Sequence, residues 1–199
     1  ENLRISNFSI NEVDIPQILV AGCGTAGPAC DITFMFKNCD VLAIDLSLSG
    51  LAYAKRKTEE LSISNIEYMQ ADILDLKALD RKFDIIESYG VLHHMDDPMA
   101  GWKVLTDCLN TGGLIQIGLY SELARKHIVQ IRDEIEQSNI ESSYDAMKLF
   151  RNKITSSEEE HHKRAVSSFD FYSMSALRDL LFYVQEHRFT IPQIEASLT

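Results

Sequence analysis

The sequence has few cysteines, and their spacing matches no metal or disulfide framework. Only four of the 199 residues are cysteine, and no C-x-x-C spacing occurs. This excludes zinc ribbons and the disulfide-rich scaffolds of small secreted domains. We therefore expect all of the cysteines to be reduced and buried, namely Cys23, Cys30, Cys39 and Cys108.

Positive charge is also scarce. The 19 Lys and Arg residues stand against 30 Asp and Glu residues, which gives a formal net charge of −11. The basic residues are scattered apart from "KRK" at 55–57. A chain of this charge repels a phosphate backbone, so nucleic acid is disfavoured as a partner or substrate.

Long apolar runs are missing as well. No stretch approaches the length that crosses a bilayer, and residues 1–30 show no charged start followed by an apolar segment and a cleavage site. We expect a cytoplasmic protein without membrane contact. The 45% apolar and 25% charged fractions indicate one globular domain over 1–199.

The sequence does contain an alternation of strand and helix patterns. Helical patterns begin at the capping signals Ser47 and Asp97-Pro98. Strands alternating with helices predict an α/β fold, with a doubly wound, mostly parallel sheet flanked by helices on both faces. The runs that predict strands are 17–21, 41–45, 66–70, 83–88 and 114–119.

The character of the chain changes after residue 121. Helical patterns separated by serine-rich breaks predict a cofactor-binding core over 1–121 and a helical region over 122–199, which acts as a lid over the substrate or as a dimer surface. Ser121 opens the first of these patterns, and the others lie at 144–154, 174–184 and 192–198. The residues predicted to share a face of the first helix are Leu123, His127, Ile128, Ile131 and Ile135.

The charge run "SSEEEHHKR" at 156–164 predicts a solvated helix start. His161 and His162 are adjacent rather than four residues apart, so they do not easily bind one metal from a single helix face. We therefore predict no metal site.

A glycine-rich loop, "AGCGTAGPACD" at 21–31, follows the first strand and has the G-x-G-x-x-G spacing. Pro28 suits the first helical turn, whose free amides form a positive pole. Asp45 closes the second strand, where an acidic residue binds an adenosine ribose. Nicotinamide dinucleotides and S-adenosylmethionine both carry that ribose, so the loop and Asp45 leave the ligand open.

The motifs at the following strand ends favour one of these two ligands. The series "ILVAGCGT", "VLAIDLS", "ADILDL", "FDIIESYGVLHHMDDP" and "LNTGGLIQIGLYS" resembles, in order, the motifs of the class I, seven-stranded, Rossmann-like S-adenosylmethionine-dependent methyltransferases. The resemblance implies S-adenosylmethionine as cofactor and a small-molecule or protein methyl acceptor. From "DIPQILVAGCGT" through "HRFTIPQIEASL", the chain also resembles bacterial methyltransferase domains found with tetratricopeptide repeats.

The resemblance further implies which residues bind the cofactor. It puts the loop next to the methionine part, Asp45 on the ribose hydroxyls and Asp72 on the adenine amino group. It puts Leu46 and Ile73 against the adenine ring. The complete set is Ala21, Gly22, Cys23, Gly24, Asp45, Leu46, Asp72, Ile73, Ser88 and Tyr89.

Two positions depart from the family pattern. Val20 stands where many relatives have an acidic residue near the methionine ammonium. Ala26 stands where relatives have a glycine directly after Gly-Cys-Gly-Thr, and Gly27 follows it. Alanine restricts positive φ, and Glu87 is a candidate for the missing acceptor if its side chain points the right way. No sixth or seventh strand pattern appears before Thr199, so we expect a fragment with an exposed fifth strand.

His93 and His94 are candidates for a catalytic base, because methyl transfer to oxygen or nitrogen can require proton removal. Alternatively, one of them orients the loop before Asp97 and the other points outward. Two other functions stay open: a non-catalytic module that binds S-adenosylmethionine or S-adenosylhomocysteine, and a nicotinamide oxidoreductase.

Overall fold

A parallel β-sheet organises the first part of the chain. The structure is a computed structural model that describes residues 13–36, 38–183 and 185–198, and within them the sheet has five strands in the order β3-β2-β1-β4-β5. Every neighbouring pair is parallel. The strands are β1 (Gln17–Ala21), β2 (Asp40–Asp45), β3 (Ile66–Gln70), β4 (Phe83–Tyr89) and β5 (Leu109–Gly118).

The central strands are apolar on both faces. Successive side chains of a strand point to opposite sides, so Leu19 and Ala21 pack into one core cluster while Ile18 and Val20 pack into the other. A strand buried on both faces is expected to be a continuous apolar run, which is the pattern at 17–21.

Helices cover both faces of this sheet. Ala29 and Leu51 join the cluster of Ile18, whereas Leu76 and Leu105 join the cluster of Leu19. The predicted doubly wound α/β fold is therefore confirmed. The helices are α1 (Gly27–Met35), α2 (Leu48–Glu60) and α3 (Pro98–Asp107), with 3-10 helices at Ile73–Leu79 and Leu92–His94.

The predicted helix starts are also confirmed. The Ser47 hydroxyl accepts a hydrogen bond from the Gly50 amide and caps α2, and Asp97 caps α3. Pro28 lies in the first turn of α1. The short polar side chains accept from amides that have no partner inside the helix.

The fifth strand is longer than predicted. It begins at Leu109 rather than at residue 114, and its register against β4 shifts between Phe83 and Ile85. Among the described residues β5 lies at an edge of the sheet, where Leu114 is 51% exposed. The predicted exposed fifth strand is therefore present.

The residues from Tyr120 onward form a second compact unit with a core of its own. Its helices are α4 (Lys126–Gln137), α5 (Tyr144–Thr155), α6 (Glu160–Val166), α7 (Met174–Leu177) and α8 (Ile191–Ser197), with a 3-10 helix at Phe169–Phe171 and a π-helix at Arg178–Phe182. The largest buried side chains of its core are those of Ile128, Ile131, Phe150, Ile154, Phe171 and Leu181.

A buried carboxylate lies within this second unit. The Glu186 side chain is 1% exposed, accepts hydrogen bonds from the Arg125 guanidinium and forms an ion pair with Arg132, with 3.0 Å between Arg132 Nη2 and Glu186 Oε2. Removal of a charge from water is costly unless it is paired, and these contacts supply the pairing.

Two expectations for the second unit were wrong in detail. The amphipathic helix starts at Lys126 rather than at Ser121, so Leu123 is 71% exposed and not part of the buried face. The run at 156–164 is not only a solvated start, because α6 buries His162 and Ala165. In both cases tertiary packing, which periodicity does not contain, selects the buried residues.

Three further expectations concern the chain as a whole. The boundary between the two compact units falls between Leu119 and Tyr120, while the single domain over 1–199 stays a prediction. No helix in the described ranges is long and apolar enough to cross a bilayer. No disulfide joins cysteines of the described residues, and all are buried as predicted except Cys30, which is half-buried.

Loss of the α3 cap is expected to lower the free energy of unfolding by about 1 kcal/mol. In Asp97→Ala, the Met99 and Ala100 amides lose an acceptor that lies 3.0 Å from each nitrogen. Urea unfolding followed by circular dichroism measures the loss. Asp96→Ala removes the same charge from the exposed neighbour and serves as control. Equal losses in the two variants would contradict the capping role.

Candidate functional site

The loop between β1 and α1 lies at the carboxyl end of the sheet and is fastened to β2. The amides of Gly22 and Cys23 both donate to the Ile44 carbonyl, at 2.9 Å each. Gly22 and Gly24 have φ angles of 82° and 53°, a region that glycine adopts without steric penalty. The loop can therefore turn sharply just beyond the strand.

The two glycines have different surroundings. A Cβ atom on Gly22 would lie 2.0 Å from Val91 Cγ2, so this glycine allows the segment after β4 to approach closely. A Cβ atom on Gly24 would meet no described heavy atom within 4 Å. The backbone at Gly24 consequently borders open space, as a loop that receives a ligand does.

Asp45 holds this loop in place. Its Oδ2 accepts from the Gly24 amide and its Oδ1 accepts from the Ser47 amide, both at 2.8 Å. One carboxylate thus connects the glycine loop, the end of β2 and the start of α2. Each oxygen keeps a further lone pair for a ligand hydroxyl.

Ala26 keeps the left-handed conformation that a glycine would have there. Ala26 directly precedes α1, has a φ angle of 75° and is 1% exposed. The departure from the family pattern therefore leaves the backbone turn intact, although a left-handed alanine costs about 1–2 kcal/mol.

Asp72 lies at the end of β3, next in the sheet to the end of β2. Its Oδ1 accepts from the Leu74 amide at 2.9 Å and caps the 3-10 helix. Ile73 is only 6% exposed and packs in the core, while Leu46 is 67% exposed. The capping role of Asp72 is thus present, and the binding roles of these residues stay predictions.

Ser88 and Tyr89 end β4. Ser88 is 1% exposed, and its Oγ has no hydrogen-bond partner among the described residues. A buried hydroxyl without a partner is destabilising by about 1–3 kcal/mol and is uncommon in native proteins. Tyr89 is 43% exposed, and its ring lies against Gly118, where a Cβ atom would come within 2.3 Å of Tyr89 Cδ1.

Glu87 lies beside the position of the missing acid. In the parallel pairing of β1 and β4 it is the register partner of Val20, and register partners point to the same face of a sheet. Burial, and secondarily Asp31, raises the pKa of the Glu87 carboxyl. The sequence alone left the direction of this side chain open, and the pairing places it on the face of Val20.

The remaining candidates have different degrees of burial. His93 is 1% exposed and lies in the 3-10 helix Leu92–His94, whereas His94 is half-buried beside it. Burial, and secondarily Asp45, raises the pKa of the Cys23 thiol to about 12. Cys23 therefore lines the loop as a neutral group, and a catalytic base at His93 or His94 stays a prediction.

The predicted binding residues therefore gather at the carboxyl ends of β1, β2, β3 and β4, neighbours in the sheet. The glycine loop borders open space at Gly24, and Asp45, Asp72 and Glu87 offer carboxylates at separate points along this edge. In the part of the chain that the structure describes, no metal-ligating cluster lies there. This arrangement suits a nucleoside ligand that also carries a cationic amine.

The comparison with protein families agrees with this geometry. A family model described as "Methyltransferase domain" matches residues 18–113, which span β1 to the middle of β5. The match covers the glycine loop and every predicted cofactor-binding residue.

Curated relatives match over a similar part. An uncharacterised protein of Synechococcus is 34% identical over 121 residues, which cover 60% of this chain and 29% of that protein. A probable (S)-tetrahydroprotoberberine N-methyltransferase of Papaver bracteatum is 25% identical over 121 residues, which cover 61% and 34%. The chain thus spans about a third of the length of these relatives.

The fold is shared with a solved structure over nearly the whole chain. PKMT2 from Rickettsia typhi in complex with AdoHcy superposes with a TM-score of 0.74 at 19% sequence identity. The superposition covers 96% of this chain and 39% of that one. The likeness includes the second compact unit as well as the sheet.

The burial of Glu87 has a testable consequence for stability. A carboxyl whose pKa is raised in the folded state stabilises the fold below its ordinary pKa of 4.5, and that contribution is lost as the pH rises through the raised value. We therefore expect Glu87→Gln to unfold at higher urea concentration than the parent at neutral pH, with the difference shrinking towards pH ~4.

Urea titrations at several pH values measure this difference, and Glu59→Gln, an exposed site on α2, is the control. A pH-independent difference for Glu87→Gln would contradict the effect of burial.

Proposed function

We propose that the chain is a class I S-adenosylmethionine-dependent methyltransferase that transfers a methyl group to a small-molecule or protein acceptor, and the match of residues 18–113 to a methyltransferase domain supports this proposal. S-adenosylmethionine is the cofactor of this family, as the sequence predicted. It supplies a methyl group already activated on a sulfonium, so the protein has mainly to align donor and acceptor and to exclude water.

The observation that carries the proposal is the connection made by Asp45. A ribose-binding carboxylate is expected at the end of the second strand of such a sheet. Here that carboxylate also holds the Gly24 amide, so the surface that would receive the sugar is continuous with the loop that would receive the methionine part. Open space beside Gly24 supports a ligand at this point.

We assign the remaining cofactor contacts by position. The backbone from Ala21 to Gly24, with Cys23 inside it, would line the methionine part. Asp72 would accept from the adenine amino group, with Leu46 and Ile73 beside the ring. Asp72 also caps a helix through the Leu74 amide, and one carboxylate can serve both partners.

Glu87 is proposed to bind the methionine ammonium in place of the acid that Val20 replaces. Partial burial raises its pKa, no described cation forms an ion pair with it, and a bound ammonium would favour the ionised form. The unpartnered hydroxyl of Ser88 follows it on β4, and Tyr89 follows at the exposed end. These two would complete the methionine end of the site.

For the methyl acceptor, we propose only its class, a small molecule or a protein side chain. His94 has more solvent access than His93 and is the better placed of the two to remove a proton from an acceptor. The helical region over 122–199 is proposed to cover the acceptor or to form a homodimer. The exclusion of nucleic acid stays a prediction from the charge of −11, and the cytoplasmic location stays a prediction as well.

Two alternatives differ from this function in measurable ways. A non-catalytic module, suggested by Val20 and Ala26, would bind S-adenosylhomocysteine without ever forming it from S-adenosylmethionine. A nicotinamide oxidoreductase would bind NADH, and the match of residues 18–113 to a methyltransferase domain weighs against this alternative.

Asp45→Asn is expected to weaken S-adenosylhomocysteine binding about tenfold or more, because ligand hydroxyls and the Gly24 amide compete for one fewer acceptor. Isothermal titration calorimetry on the 199-residue chain gives the Kd. Asp40→Asn makes the same charge change at the opposite end of β2 and should leave the Kd unchanged. An unaltered Kd in Asp45→Asn, or NADH binding in place of S-adenosylhomocysteine, would refute the assignment.

Glu87→Gln is expected to weaken the same ligand by about tenfold while leaving the free chain at least as stable as the parent. A purely structural role predicts no change in Kd, so calorimetry combined with urea unfolding distinguishes the two. Adenosine, which lacks the ammonium, is the matched ligand control and should bind parent and variant equally.

A further inference from the structure

Two adjacent histidines converge on one carboxylate in the second compact unit. His161 Nε2 lies 2.5 Å from Glu134 Oε1, and His162 Nε2 lies 3.0 Å from Glu134 Oε2. Glu134 belongs to α4 and the histidines to α6, so the cluster joins two helices of the same unit. None of these residues belongs to the proposed cofactor site.

The ring orientations explain how neighbours on one helix reach a common point. The two imidazole centroids are 4.2 Å apart, with an angle of 46° between the ring planes. The rings thus tilt towards one another instead of diverging around the helix. One ligand atom from each residue lies within 4.8 Å of the other two.

Ser157 provides a second contact to the buried ring. Its Oγ lies 2.7 Å from His162 Nδ1, while Nε2 of the same ring faces Glu134. His162 is 4% exposed, so the hydroxyl and the carboxylate hold the ring between them. Metal-binding histidines are oriented in this way, with the second ring nitrogen hydrogen-bonded to a neighbouring group.

We propose that Glu134, His161 and His162 form a binding site for a divalent zinc ion that links α4 to α6. Two imidazole nitrogens and a carboxylate oxygen are a ligand set that zinc accepts, with a water molecule as fourth ligand. The Glu134 and His161 side chains are 31% and 20% exposed, so a water molecule has access from the outer side.

The spacing suits a tetrahedral ion with a small adjustment. Ligands about 2.0–2.1 Å from zinc lie roughly 3.3 Å from one another. The separation of 3.0 Å between His162 Nε2 and Glu134 Oε2 is close to this value, and the 2.5 Å separation at His161 has to widen. The partly exposed Glu134 side chain is the group that can move outward.

Calorimetric titration of the chelator-treated, tag-free chain with zinc chloride tests the site. We expect one zinc ion per chain and a micromolar or tighter Kd. Zinc at about a hundredfold above the Kd should raise Tm by about 5–10 °C. With cobalt in place of zinc, visible absorption typical of tetrahedral geometry should appear without a thiolate charge-transfer band, because no cysteine belongs to the cluster.

Variants distinguish zinc binding at this cluster from zinc binding at the four cysteines or the other histidines of the chain. Glu134→Gln and His162→Ala should abolish the Tm rise and weaken zinc binding at least a hundredfold, and Ser157→Ala should weaken it about tenfold. Glu136→Gln, an exposed carboxylate on the same helix, should bind zinc as the parent does. Circular dichroism of Glu134→Gln, which keeps the side-chain shape, verifies folding.

Absent zinc binding by the folded parent chain, or an equal Kd in Glu134→Gln and the parent, would overturn the proposal. The cluster would then be a hydrogen-bonded contact between α4 and α6 only. S-adenosylhomocysteine binding is measured separately, so a failure here does not bear on the proposed methyltransferase function.

Discussion

The Asp45 carboxylate is the contact on which the candidate site depends. It accepts from the Gly24 amide on one oxygen and from the Ser47 amide on the other, so a single side chain orients the glycine loop and the start of α2. Hydrogen bonds from amides to a carboxylate are stronger than bonds between neutral groups. The loop is therefore held in its positive-φ conformation before any ligand binds, which lowers the ordering cost of binding.

The parallel sheet determines which chemical groups can meet. Carboxyl ends of β3, β2, β1 and β4 lie side by side, so residues far apart in sequence reach one edge. Register partners on neighbouring parallel strands also point to the same face of the sheet. Val20 and Glu87 are partners across β1 and β4, and a carboxylate on either strand reaches the same face of the sheet.

The second compact unit combines an apolar core with acidic side chains that have polar partners. Its isoleucines and phenylalanines form a continuous core, yet it also contains the buried Glu186 carboxylate and the Glu134, His161 and His162 cluster. Each of these acidic groups has cationic or imidazole partners from other segments, as burial requires. Polar groups thus link segments that the apolar core alone would hold with less specificity.

Local sequence patterns determined the element types, the caps at Ser47 and Asp97 and the glycine loop, because each depends on residues within a few positions of one another. The family resemblance came from the order of five such patterns along the chain. Tertiary structure alone decided the face occupied by Glu87, the burial of Ile73 and His162, the exposure of Leu123 and the meeting of Glu134 with two histidines. These outcomes depend on which strand or helix packs next to which. Periodicity along one element carries no information about the side chains that a neighbouring element presents.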